Sequence, residues 1–186
     1  MTTQLVTLAQ VKAHIGNAAD ATDDAILQRI TDSVCSFLES ACNRTFGVTN
    51  YVEHRNGSGG RFIVLNHYPV VQITSLQVNG ETIPQSASWE APGWVLTQGY
   101  RVDLRGASYA FWSGSMNVSV SYSAGFSAIP GDLQHAALVM AAQAYKERDR
   151  VGLTSKSIGG EGVSFLTEMP DYVERVVREY ARVAVA

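Results

Sequence analysis

Apolar positions divide the chain into a helical opening, an alternating middle and a helical close. Leu8, Val11 and Ile15 recur at helical spacing behind a Thr7/Gln10 capping box, in which each side chain satisfies a backbone donor of the other. Gly16 supplies the left-handed stop. After the polar linker Asn17–Ala21, Asp20 or Thr22 is placed to cap a second helix, with Asp23 and Asp24 complementing its dipole. Ile26, Leu27, Ile30, Val34, Phe37, Leu38 and Ala41 then form one apolar stripe over about five turns.

From residue 47 to 127 the helical spacing disappears, and short β-prone runs alternate with turn chemistry. Tyr51–His54 and Arg61–Leu65 predict a hairpin around the Gly-rich stretch 56–60. Val70–Val78 is a partly alternating strand, and Asn79-Gly80 after it is a two-residue hairpin turn, since both residues accept positive φ. Trp94–Leu96 and Tyr100–Leu104 are further short strands. Met116, Val118, Val120 and Tyr122 alternate with Asn117, Ser119 and Ser121, the pattern of a half-buried strand. Helix returns at Pro130, with Leu133, Ala136, Ala137, Met140, Ala141 and Ala144 on one face. Pro170 and Asp171 open a last helix with Val173, Val176, Val177 and Tyr180 on its stripe. Between these two, residues 153–169 show no clear period and contain three glycines, which predicts a pliant arm.

This order predicts an α+β protein. A helical bundle formed by both chain ends (1–46 and 128–186) carries a small antiparallel β-unit (47–127), inserted between the second and third long helices.

Composition narrows the function classes. With 186 residues the chain can bury a core without disulfide or metal staples. Its formal net charge of −3 argues against holding nucleic acid by neutralising many phosphates. No apolar run reaches the roughly 18 residues of a membrane span, and the first residues lack the pattern of a signal peptide. The expectation is an intracellular protein with reduced thiols and no membrane partner.

A reaction centre is not legible. The glycines at 57, 59, 60, 159, 160 and 162 complete neither phosphate-loop pattern, and no G-x-S-x-G elbow occurs. His14, His54, His67 and His135 lack metal-ligand spacing. Cys35 and Cys42, on one helix, would stand about 10 Å apart, too far for a disulfide, so they read as small buried apolar residues. No catalytic residue, cofactor or metal is expected. Trp89, Trp94, Trp112, Tyr100, Tyr109 and Phe111 could line a platform for a sugar or a base; the competing reading is that they fill a small β-core or a protein interface, and Arg101 and Arg105 nearby, two arginines in an acidic protein, are weak evidence for nucleic acid.

Two features point instead to a protein partner. The run Lys146, Glu147, Arg148, Asp149 and Arg150 packs both charge signs into one helix end, which reads either as a solvated terminus or as a source of salt bridges to a neighbouring subunit. The arm after it carries the apolar Ile158, Val163, Phe165 and Leu166 on a Gly-containing segment suited to docking, with Lys156 beside them as a further interface candidate.

The order and spacing of several short motifs resemble the head-to-tail connector (adaptor) proteins of tailed double-stranded-DNA phages and prophages. They are Leu8-Ala9-Gln10-Val11-Lys12-Ala13-His14-Ile15, Thr22–Leu27, Cys42-Asn43-Arg44-Thr45-Phe46, Leu65-Asn66-His67-Tyr68-Pro69-Val70, Ala141–Asp149, Ser155-Lys156-Ser157 and Pro170. The resemblance implies a structural, non-enzymatic virion protein at the neck. It implies a self-assembled ring, typically of twelve copies, between the portal protein and a tail-side head-closure or tail-completion protein. Double-stranded DNA would pass through its channel without sequence-specific binding. The resemblance also makes Tyr180, Arg182 and the residues beyond candidates for reaching the portal. The aromatic ligand platform is the alternative function.

Overall fold

The computed structural model describes residues 3–16, 21–88, 90–148, 155–158, 161–164 and 169–182. Contacts divide the chain into two compact units, one of Met1–Arg44 with Ile129–Arg182 and one built on Thr45–Ala128.

In the first unit, α1 (Leu8–Ile15), α2 (Asp24–Ala41), α3 (Gly131–Glu147) and α4 (Asp171–Tyr180) are joined by the hairpin β8 (Ser155–Ile158) and β9 (Glu161–Ser164) between α3 and α4. α3 packs against the other three helices. Val11, Leu27, Val34, Leu38, Leu133, Ala136, Ala137, Ala141, Val173 and Val176 are buried there. The alanines of α3 permit the close approach that their size predicts. The Thr7/Gln10 capping box forms, and Gly16 takes φ 79° at the end of α1. α2 departs from expectation: Asp23 is its N-cap residue, with no side-chain capping bond. The reason lies across the unit, where the Asp23 carboxylate accepts from the Tyr145 hydroxyl and from Arg148.

The second unit holds β1 (Thr49–Gly57), β2 (Phe62–Val64), β3 (Val70–Val78), β4 (Glu81–Thr82), β5 (Gly93–Thr97), β6 (Arg101–Arg105) and β7 (Gly114–Ala124). They form two antiparallel sheets, ordered β1-β7-β3-β4 and β2-β6-β5. Val118, Val120, Tyr122 and Ala124 alternate inward on β7 and share a core with Leu76, Val78, Trp94, Val102, Leu104 and Phe111. Asn79 and Gly80 take φ 53° and 82° and turn β3 into β4, with Val78 paired to Glu81.

Three expectations are corrected. The fold is not a helical bundle of the chain ends with a small β-unit: the chain has four helices and two antiparallel sheets of seven strands, and about 30% of it is strand. The cause is β7, which pairs along its length with β1 on one side and β3 on the other, so the second unit has a core of its own. The hairpin expected from 51–54 and 61–65 does not form, because β1 pairs with β7 and β2 with β6. Local turn chemistry yields there to the longer partner that β7 offers β1. The arm at 153–169 is not structureless throughout: β8 and β9 pair in the register Ser155↔Ser164 to Ile158↔Glu161.

Candidate functional site

Among the described residues, no cluster of three His, Cys, Asp or Glu is placed to hold a metal, and no helix is long and apolar enough to cross a membrane. Cys35 and Cys42 are both buried, and burial pushes both thiols up from their ordinary value, away from the reactive thiolate. The six aromatics divide. Trp94 and Phe111 belong to the β-core and Tyr109 packs against it; Trp112 and Tyr100 are exposed, the Tyr100 hydroxyl donating to Gln98 Oε1 at 2.7 Å; Trp89 lies outside the described residues.

The charged end of α3 is differentiated. Lys146 is exposed, while Glu147 accepts from Gln143 Nε2 at 3.1 Å. Arg148 turns toward its own unit. Its Nη1 donates to the Tyr145 carbonyl at 2.8 Å, its Nη2 lies 3.5 Å from Asp23, and its guanidinium sits 3.9 Å from the centroid of the Tyr145 ring. This latch joins the start of α2 to the end of α3. Beside it, an open and largely apolar groove of about 440 Å³ runs along Ile26, Ile30, Val34 and Ala144, flanked by Arg29 and Arg148. Asp149 and Arg150 lie outside the described residues.

Lys156, Ile158 and Val163 fall on the β8–β9 hairpin, with Lys156 paired to Val163. Phe165 and Leu166 lie outside the described residues. Tyr180 is engaged within the unit: its hydroxyl meets both oxygens of Asp132 at 3.0 and 2.9 Å, beside the Tyr172 hydroxyl, which donates to the Asp132 carbonyl at 3.2 Å. Desolvation, then the Asp132 hydrogen bond and charge, push the Tyr180 phenol up to about 12. Arg182 N donates to the Cys42 carbonyl at 2.9 Å, so the chain after α4 is tied to the end of α2.

Sequence reasoning missed two arrangements in the second unit. Glu53, on the core side of edge strand β1, accepts from the Tyr122 hydroxyl, from Asn66 N at 3.1 Å and from Arg55 Nε at 2.9 Å. His67 N donates to Tyr122 Oη at 3.2 Å, and its ring stacks on Tyr51 with centroids 3.7 Å apart. This network fastens the 66–69 loop to the four-stranded sheet, and the inward charges also blunt an exposed edge. Burial, followed by the Glu53 hydrogen bond and charge, pushes the Tyr122 phenol well above its ordinary value. The second arrangement is the outward face of β6, where Arg101, Asp103 and Arg105 alternate with buried Val102 and Leu104. The signal was present as Arg-Val-Asp-Leu-Arg, but only pairing with β2 brings Phe62 beside it.

The profile of the head completion protein family matches residues 4–183. The fold is similar to that of a chain from the neck of an empty gene transfer agent particle computed with C6 symmetry. That pair shares 20% identity at a TM-score of 0.61, covering 100% of this chain and 95% of the other. It is also similar to a chain from the neck of a native gene transfer agent particle computed with C12 symmetry, with 19% identity, a TM-score of 0.54, and 100% and 97% coverage. A chain from the virion of a native gene transfer agent particle matches at 21% identity and a TM-score of 0.58, covering 98% and 92%. No curated protein matches the sequence. With nearly its whole length accounted for by one family, the chain belongs to the head completion protein family, whose role is structural and not enzymatic.

Proposed function

We propose that the protein is a ring-forming adaptor of the virion neck, seated between the portal and the tail-side completion proteins and leaving a channel for DNA. The family match over residues 4–183 carries this reading. The likeness in fold to chains from necks computed with C6 and C12 symmetry supports the ring. The chain's net charge of −3 suits a channel through which DNA must slide, since a surface rich in cations would hold it by counterion release.

In this reading residues 1–46 and 128–186 form the connector domain and 47–127 the inserted β-unit. A closed ring needs two different, complementary faces on each subunit. Lys146, Glu147, Asp149 and Arg150 at the end of α3, together with the β8–β9 arm and Phe165 and Leu166 beyond it, are the residues we assign to one of them. Arg148 serves that face by holding the end of α3 in place through Asp23. Tyr180 acts likewise through Asp132, and Arg182 with the residues beyond is the segment we assign to the portal.

The test is a particle count. Deleting the gene yields DNA-filled heads and unattached tails, and adding the protein back restores joined particles. Normal infectious particles from the deletion sink the reading. Imaging of isolated necks for a ring of this chain tests the assembly separately.

A further inference from the structure

The outward face of the three-stranded sheet has the make-up of a protein-docking surface. On β6, Arg101 and Asp103 are joined: Arg101 Nε and Nη2 reach Asp103 Oδ1 at 2.9 and 2.6 Å, and Thr97 Oγ1 of β5 donates to Asp103 Oδ2 at 2.5 Å. The Arg101 guanidinium lies 4.1 Å from the centroid of the Phe62 ring on β2, and that ring remains 50% exposed. Arg61 is fixed as well, its Nη2 donating to the Gly106 carbonyl at 2.5 Å. These groups, with Arg105 and Glu90, line an open concavity of about 760 Å³.

Three physical points follow. The Arg61 and Arg101 guanidinium groups are held by neighbours, so a partner that meets them does not bear the full cost of ordering long side chains. Arginine beside an exposed aromatic is the pairing enriched at the energetic centres of protein interfaces. Asp103 and Glu90 stand among the three arginines, so a phosphate chain meets repulsion there along with attraction, whereas a protein segment can match both signs.

We propose that this face docks a segment of another protein chain, one that presents carboxylate side chains to the arginines and an apolar side chain to Phe62. The proposal rests on the reading that the protein works inside a multi-chain neck, and it adds the β-unit as a second contact surface, apart from the α3 end and the arm.

The test places the photo-crosslinking residue p-benzoylphenylalanine at position 62 of the full chain in assembled particles, with position 97 as a second reporter. The expected product is a covalent adduct to one protein, whose linked peptide carries Asp or Glu beside an apolar residue. Arg61→Glu lowers its yield about tenfold, the effect of one lost charge pair. Changing the partner's acidic residue to Lys restores it. Arg61→Gln, checked for an unchanged melting curve, separates lost docking from lost folding. Adducts to DNA, no adduct from either position, or a yield indifferent to both Arg61 variants overturns the proposal. Neck images are scored on the same particles. A visible ring without adducts refutes this surface and leaves the adaptor reading standing, whereas adducts without a ring do the reverse.

Discussion

The two sheets of the second unit share one core and turn opposite chemistry outward. On the four-stranded sheet the outward register runs Asn50–Ser123–Gln72, Val52–Ser121–Ser75 and His54–Ser119–Gln77, with no Asp, Glu, Lys or Arg at any of these positions. On the three-stranded sheet the outward positions of β6 are Arg101, Asp103 and Arg105, with exposed Phe62 alongside. Both inner faces obey the same demand, alternate apolar residues over Phe111 and Trp94. The outer faces are therefore free of the fold's requirements, and their difference marks where chemistry beyond folding is written. The Ser/Asn/Gln-rich face, with Val52 and His54 among its positions, offers short hydrogen-bonding groups and no Asp, Glu, Lys or Arg to steer a partner; the arginine face offers preorganised charge and an aromatic.

The largest effect breaks what the sheets share. Phe111 is fully buried in the common core, and Phe111→Ala costs about 3–5 kcal/mol by lost transfer and cavity terms. Chemical denaturation followed by tryptophan fluorescence checks it. Both sheets unfold together if the core is one; separate transitions would show the two faces to be independent layers. Next comes the polar fastening on the core side. Tyr122→Phe removes the hydroxyl that bonds Glu53 and His67 N, and costs about 1–3 kcal/mol because the buried partners stay behind. This variant also has a pH signature. The folded Tyr122 phenol is raised, so the native state keeps a proton that the unfolded chain loses near pH ~10. Its contribution is complete below that pH and is lost as pH rises above it. The wild type thus loses stability with alkali more steeply than Tyr122→Phe, as melting curves at increasing pH show.

The alternation of Val118, Val120 and Tyr122 was readable because a half-buried strand leaves its period in the sequence. Even there the reading overran: Met116 continues the period but is 61% exposed, with φ 50° and its N–H donated to Asn56 Oδ1, where the β1–β7 register shifts. Strand pairing was not readable. Which side chains share an outer face depends on β1 choosing β7 and β2 choosing β6, a competition between partners distant in sequence. Arg101 and Arg105 therefore stood out only as two arginines, and Arg61 and Phe62 not at all. The Asp23 latch was hidden for the same reason, since Tyr145 and Arg148 arrive from more than a hundred residues away. Motif order along the whole chain is legible because it is local to the sequence and does not depend on which strands pair.

The charged face yields a smaller change than the core. Arg101→Ala removes a half-exposed ion pair and a cation–ring contact, and costs about 1 kcal/mol, measured as a shift in denaturation midpoint without a change in slope. Asp103→Ala releases Arg101 and Thr97 together, and a double-mutant cycle with Arg101→Ala separates their coupling from the loss of either residue alone.

The smallest effect bears hardest on the comparison. Ser121→Lys puts a charge at the centre of the neutral face, between Val52 and Ser75. If the neutrality is not needed for folding, stability moves by no more than about 0.5 kcal/mol, since the new side chain extends into water and leaves no group unpaired. A loss of about 2 kcal/mol in the isolated protein would show that this face is packed, and the contrast between the sheets would become one of burial. A near-zero result combined with the measurable cost of Arg101→Ala establishes the opposite. The arginine face is then knit into its own sheet through Asp103 and Phe62, the serine face carries no fold-imposed identity, and any effect of Ser121→Lys in assembled particles belongs to what that face meets there.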